Sequence, residues 1–407
     1  MNTILVGDAK SRSCIDYRKL QSITIDFMRF PMAIMVVFIH MTPSVTNIED
    51  ADYPILSCSG IFNLAGIIFS HVLSHIAVPV FFLISGFLFF ANFHKWSFIG
   101  YKSKIQSRTR TLLLPYILWN AVPFLLAILV MILGSMIKDW PIENIFSTIK
   151  YNSWHIFYDT YEWGTTRVNW LGYNLRMTGP YDLPLWFLRD LIVVIAFTPV
   201  IYYMVRKFKF YFLVFLFVAY ISRIWILVPG FSITSCFFFS AGAYLALNEI
   251  NIIKFVHKYS VLIIPTFLVL FCFAVYYDGT NTLTGQNIYP LFICFGVLFA
   301  FYLASVCVLK FKIKPNKFLV SNCFFIYAFH CVNLPVIGTV LAASNTFVCR
   351  LVPFEDKFGE LLSYIITPFV AVAICVLVLK IAYLISPKIA MLFSGNRLGI
   401  SEKRYLK

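Results

Sequence analysis

The chain is predicted to be all-α, a polytopic integral membrane protein of about ten transmembrane helices with both termini on the cytosolic side. Three observations carry this prediction. Apolar residues make up 60% of the 407 positions and charged residues only 13%, about half the charge of an ordinary soluble chain. Apolar runs long enough to cross the hydrocarbon recur from one end to the other, and helices satisfy their own backbone there. Between these runs the charge alternates in sign from one loop to the next.

The spans are expected at about 24–45, 65–92, 112–136, 184–204, 210–228, 231–248, 259–277, 288–309, 322–343 and 361–385. With the N-terminus inside, cytosolic segments carry 24 Lys and Arg and external loops carry 7, whereas acids number 4 inside and 12 outside. This is the positive-inside pattern, and losing one span would reverse every later loop. The net charge of +15 therefore marks cytosolic membrane edges, not a nucleic-acid partner.

Residues 1–22 hold Lys10, Arg12, Arg18 and Lys19 without an apolar core, so a cytosolic tail is expected instead of a cleavable signal. Residues 23–386 form the transmembrane domain, and 387–407 a second cytosolic tail. The one long loop, 138–182, is external and rich in Trp and Tyr, including Trp154 and Trp163. Two readings of it stay open: a wall that stacks on sugar rings, and an interfacial aromatic belt. The cysteines lie mostly in apolar runs without CxxC or Cys/His spacing, which suits small hydrophobes. Cys58 and Cys349 fall in loops on one side, where a disulfide is one option.

The chemistry concentrates in the first span, DFMRFPMAIMVVFIH at 26–40. Ionisable groups inside a membrane are costly and mark function. Arg29 and His40 are 11 residues apart, so at about 100° per residue they share a helix face, roughly 16 Å apart along the axis. Asp26 lies one turn before Arg29. Pro31 removes a backbone donor between them and is expected to kink the helix. His71 and His75, spaced i, i+4, share a face of the second span and suit a polar lining near the external mouth. No HExxH or paired carboxylate accompanies them, so no metal is expected. Arg189 and Asp190 are neighbours in sequence, hence expected to face different partners. Asp182, just outside the fourth span, is placed to orient a substrate hydroxyl.

Several stretches together resemble the acyltransferase family 3 membrane proteins. They are Asp26-x-x-Arg29-x10-His40, VPVFFLISGFLF (78–89), SRTRTLLLPY (107–116) with Arg108 and Arg110, PLWFLRDL (184–191) with Trp186, and FFIYAFH (324–330) ending in His330. The resemblance covers most of the chain. It implies transfer of an acetyl or similar short acyl group from cytosolic acyl-CoA, most simply acetyl-CoA, to a hydroxyl of a cell-envelope glycan or lipid-linked sugar. It further implies a bacterial inner membrane location. In that chemistry His40 is the expected base, since imidazole titrates near neutrality, with Arg29 and Asp26 beside it. Arg29, Arg108 and Arg110 are expected to hold donor phosphates, because guanidinium binds them bidentately. Asp182, Trp186, His71, His75, His330, Trp154 and Trp163 are expected on the acceptor side. The rival reading is a polytopic transporter or flippase, for which the chain lacks visible internal repeats.

Overall fold

The structure, a computed structural model, describes residues 16–40, 54–91, 96–138, 154–158, 179–226, 228–280, 282–331 and 358–397, with a few isolated positions and the backbone of a short hairpin between them. Trp163 and Cys349 lie outside the described residues. The fold is helical throughout, apart from that hairpin of β1 (Arg167–Trp170) and β2 (Tyr173–Arg176) within the long loop.

Helix α1 runs over Tyr17–His40. Its first turn is closed by Asp16, whose carboxylate accepts from the backbone N–H of Arg18 and Lys19 at 3.0 and 3.2 Å, where an acid also complements the helix dipole. Pro31 sits inside α1 and the helix continues past it. Met28, Met32, Ala33, Val36 and Val37 form its buried stripe, at the i, i+4 spacing that puts residues on one face. That stripe packs against α3 (Ala77–Phe90), α12 (Leu283–Leu309), α13 (Lys317–Phe329) and α14 (Phe358–Ile385). Helix α1 is thus the central staff of the bundle.

Two helical stretches change pitch midway. Cys58–Phe90 begins as α2 (Cys58–Gly66), passes through a π-turn at Ile67–Val72 and a 3₁₀ turn at Leu73–Ile76, and resumes as α3. Phe98–Lys138 is α4 (Phe98–Arg108), a π-turn at Thr109–Leu113, then α5 (Leu114–Lys138). Such π segments concentrate at functional sites because they rotate side chains away from the regular helix faces. Here they carry Ser70 and His71 in one case and follow Arg108 in the other.

The remaining helices are α6 (Trp186–Ala196), α7 (Thr198–Phe208), α8 (Phe210–Ser222), α9 (Ile233–Leu247), α10 (Ile252–Lys258), α11 (Ser260–Tyr276) and α15 (Pro387–Phe393). Five helical stretches are long and apolar enough to cross a membrane, or up to seven if the bent pairs α6/α7 (64°) and α9/α10 (100°) each count as one span. The apolar helices α8, α11 and α13 are shorter. Fold class follows the sequence, while the lengths alone stop short of ten spans.

Two contacts set the packing. Helices α3 and α9 meet backbone to backbone: a methyl at Gly86 would strike the Phe239 carbonyl, and one at Gly242 the Leu83 carbonyl. Small residues permit such approach between membrane helices. Helices α11 and α12 are joined by Phe267 and Phe299, stacked at 4.1 Å and 9°.

One sequence expectation is corrected here. Arg189 and Asp190, expected to face apart, pair with each other, Nε and Nη2 reaching Oδ1 at 3.1 and 3.0 Å, and each also has its own further partner, Asp190 bonding Ser232. Both groups are almost fully buried, where separated, unpaired charges would cost far more than a paired set. Arg189 also donates to the Tyr158 carbonyl at 2.7 Å, and Tyr116 donates to that of Phe157. Residues 154–158 of the long loop are thereby tied to the bundle.

Gly86→Ala or Gly242→Ala should each destabilise the protein by about 1–3 kcal/mol, the usual cost of overpacking a close contact. Thermal unfolding of detergent-solubilised protein checks this, and an unchanged midpoint would mean that α3 and α9 are free to separate.

Candidate active site

The site is built around the C-terminal end of α1. His40 is its last residue, and His330 follows the last residue of α13. The two rings lie 4.9 Å apart at 65°, with His330 Nε2 3.1 Å from His40 Nδ1. Residues 290 apart in sequence thus form one hydrogen-bonded pair. Their partners assign the protons. His330 Nδ1 donates to the Ile326 carbonyl at 3.0 Å, leaving Nε2 as a lone pair. His40 Nδ1 faces two acceptors, the Val36 carbonyl at 2.9 Å and His330 Nε2. It therefore carries a proton, and Nε2 of His40 is left as the basic nitrogen. Ser70 fixes this helix end, donating to the Phe38 carbonyl at 2.7 Å and sharing a hydrogen bond of 2.8 Å with Tyr364.

Ligand atoms of His40, His330 and Cys331 lie within 4.8 Å of one another. The number would suit a cation, but both Nδ1 atoms face carbonyl oxygens, a direction that suits N–H and not a metal-ligating lone pair.

Below the pair, a slot of about 200 Å³ is lined by Arg29, Arg108 and Arg397 at one end and by Phe187 and Tyr327 toward the other. Tyr327 is one turn before His330, their rings 6.4 Å apart. Arg29 pairs with Asp26 at 3.2 Å. Asp26 is the only carboxylate within ion-pair distance of any of these three arginines among the described residues. Arg397 lies over the Phe324 ring at 4.5 Å. Burial, and then the neighbouring charges of Arg29 and Arg108, push its guanidinium down to about 10. A second cavity, of about 260 Å³, holds Lys104, Ser107 and Thr111 and shares Arg108 and Arg397 with the slot.

An outer cavity of about 610 Å³ reaches Ile39, the neighbour of His40. His71 and His75 both line it, with Arg223, Asp278, Gln286 and Tyr289. His71 Nδ1 is 2.8 Å from Asp278 Oδ2, Tyr289 donates to the His71 carbonyl at 2.7 Å, and Arg223 donates to the Gln286 carbonyl at 2.8 Å. The residues that read as a polar lining in the sequence do share one face of one cavity.

The remaining expected residues are distributed as follows. Asp182 is buried, and neither carboxyl oxygen has a hydrogen-bond partner among the described residues. Its backbone N–H donates to Asn120 Oδ1 at 2.9 Å, and it lies within electrostatic reach of Tyr116, Tyr327 and Cys331. Burial raises its carboxyl well above the usual range. Trp186 opens α6 and packs against the core. Trp154 is 61% exposed and stacks on His155 at 4.1 Å. Arg110 is exposed, turned away from the cavities that Arg108 lines. Sequence reasoning missed Lys104 and Arg397, which sit in charged stretches that look like simple membrane-edge anchors. It also missed Asp278 and Arg223, one in each of two short loops.

A helical bundle in which one central helix joins an arginine-lined slot to a histidine pair and a polar cavity is a membrane protein built for group transfer. The family model described as "Acyltransferase domain", that of acyltransferase family 3, matches residues 22–385. The chain belongs to this family. It is 26% identical over 272 residues to the succinoglycan biosynthesis protein ExoH of Rhizobium meliloti strain 1021, the match spanning 64% of this chain and 64% of that relative's length. No solved structure matches the chain.

The raised Asp182 carboxyl has a consequence for stability. The native state favours the protonated acid, so its contribution is fully present below the ordinary carboxylate pKa of about 3.9 and is lost as pH rises through the higher native value. Asp182→Asn mimics the protonated form. Its melting midpoint should match wild type near pH 4 and exceed it at alkaline pH, in detergent-solubilised protein. Identical midpoints across the range would mean that the carboxyl is not held out of water.

Proposed function

We propose that the protein is an integral membrane O-acyltransferase that moves an acetyl or other short acyl group from cytosolic acyl-CoA to a hydroxyl of a cell-envelope glycan or lipid-linked sugar. The observation that carries this reading is the placement of α1. One helix presents Arg29 to the slot, His40 to the histidine pair, and Ile39 to the outer cavity. Family membership and the succinoglycan-linked relative support a glycan acceptor.

In this reading the five long spans, the two bent pairs and the three shorter apolar helices make ten crossings, N-in and C-in, in a bacterial inner membrane. The arginine end then faces the cytosol, and donor phosphates meet Arg29 and Arg108. The acyl-bearing arm lies in the slot with its thioester toward His330. The acceptor enters the outer cavity, where the paired His71 and Asp278 offer hydrogen-bonding groups.

His40 Nε2 takes the proton of the acceptor hydroxyl as its oxygen attacks the thioester carbonyl. The C–O bond forms, the C–S bond breaks, and the thiolate leaves and recovers the proton from His40. His330 Nε2, held as an acceptor by the Ile326 carbonyl, stabilises the transient imidazolium through His40 Nδ1–H. In this reading His330 positions His40 and stabilises its transient charge.

A transporter or flippase gains one observation, since the bent helix pairs at 64° and 100° are of the broken type that line transport sites. Such a protein would leave its cargo unmodified. Mass spectrometry of envelope glycans with and without the gene separates the two: an ester-sized mass difference is expected, and its absence would sink the transferase.

His40→Ala should lower transfer about 10²–10⁴-fold, the usual cost of a lost general base, with membrane abundance unchanged. Retention of more than about a tenth of the rate would remove His40 as the base. Trp154→Ala should lower acylation of the acceptor while slow hydrolysis of the donor survives, because an exposed indole stacks on sugar faces. Equal loss of both activities would take Trp154 out of the acceptor site.

A further inference from the structure

The stretch after α15 carries a cation that no motif accounts for. It turns at Gly395 (φ +68°) and Asn396 (φ +58°), with Asn396 N–H donating to the Met391 carbonyl at 2.7 Å. A methyl on Gly395 would lie 2.7 Å from the Thr111 carbonyl, so glycine is required both for the left-handed backbone and for the close approach. Trp119 holds the last residue of α15, donating from Nε1 to the Phe393 carbonyl at 3.0 Å. The turn is thus docked on the π-turn at Thr109–Leu113, and its outcome is to bring Arg397 against Arg29 and Arg108.

Like charges gathered in an enclosed site repel, and the repulsion is strong where water is scarce. Asp26 offsets one of the three guanidinium groups. An anionic ligand would offset the others. The two adjoining cavities differ in kind. The slot of about 200 Å³ is walled mainly by apolar side chains, too narrow for a bulky nucleotide. The vestibule of about 260 Å³ is lined by Lys104, Ser107 and Thr111. Arg108 and Arg397 stand at the neck common to both.

We propose that the Arg397 turn and Lys104 form the outer lip of the donor site, gripping the phosphates of the donor's nucleotide end while its acyl-bearing arm passes between Arg108 and Arg397 into the slot. This rests on the acyl-CoA reading above and extends it to two side chains and a segment outside the family's sequence stretches.

The test compares acetyl-CoA with S-acetylpantetheine, which keeps the thioester and lacks the nucleotide, using the purified full-length protein. Arg397→Gln should raise KM for acetyl-CoA about tenfold or more, as loss of a charge-assisted contact does, with a clearly smaller rise in KM for S-acetylpantetheine. Lys104→Gln should act in the same direction. Arg397→Lys, which keeps the charge and the fold, should fall between wild type and Arg397→Gln. An unchanged KM for acetyl-CoA in a folded Arg397→Gln would overturn the inference and leave the donor reading standing, as would an equal loss on both donors. If wild type neither binds nor uses acetyl-CoA, the donor reading fails, and this assignment of the lip fails with it. Inorganic pyrophosphate then probes the cluster as a bare anion site. Thermal stabilisation of wild type by a soluble prenyl diphosphate in place of coenzyme A would assign the lip to a lipid carrier and overturn the donor assignment.

Discussion

Three half-buried guanidinium groups drawn close together are the constraint around which this molecule is arranged. Arg29, Arg108 and Arg397 come from the first helix, the end of α4 and the turn after α15, and nothing in local structure brings them together. Each is held by a separate device: Asp26 beside Arg29, the pitch change after Arg108, and the Phe324 ring under Arg397. Cation–π contact and one ion pair recover part of the cost of desolvation. In the acyl-CoA reading, the donor's phosphates would recover the rest. A site of this kind is stable enough to fold and poised to gain more on binding, which is how binding energy becomes available for orienting a substrate.

The same helix that carries Arg29 ends on His40, so the anion site and the histidine pair cannot move independently. Helix α1 is clasped by α3, α12, α13 and α14, and α3 is fixed in turn by its backbone contact with α9 at Gly86 and Gly242. Rigid regular helices set the distances. The irregular turns within Cys58–Phe90 and Phe98–Lys138 then aim side chains that a regular helix would point elsewhere. Ser70, His71 and His75 reach the outer cavity, and Ser70 also locks the end of α1.

The sequence showed the class of fold because membrane burial imposes a simple rule, long apolar runs with cations on one side. It also showed Arg29 and His40, since 11 residues bring a helix back to nearly the same face and ionisable groups stand out in hydrocarbon. His330 was legible as a residue, but its contact with His40 depends on how α13 packs against α1, which no local pattern encodes. Arg108 and Arg110 looked equivalent. Two residues of helix separate their directions, and only Arg108 faces the cavities. Arg397 was hidden for the opposite reason: in a basic tail one more cation carries no signal until the turn at Gly395 is seen to dock it. Arg189 and Asp190 misled because the i, i+1 rule describes where side chains leave the backbone, not how far a long guanidinium can reach.

The slot reaches Tyr327, one turn before His330, and the outer cavity reaches Ile39, next to His40. If donor and acceptor approach through these two cavities, neither needs to cross the membrane. Only the acyl group passes, by exchange of one C–S bond for one C–O bond. The histidine pair then has two tasks that pull against each other. It must exclude water from the thioester, and it must remove a proton from the acceptor. A neutral His–His pair meets both demands. Its Nδ1 protons are committed to protein acceptors, so the rings are fixed and closely packed, while one Nε2 lone pair remains for the hydroxyl. A carboxylate base in the same place would bring a permanent charge, and with it water. In the proposed reaction imidazole is charged only during the transfer and returns its proton to the departing thiolate, so the pair carries no lasting charge between turnovers.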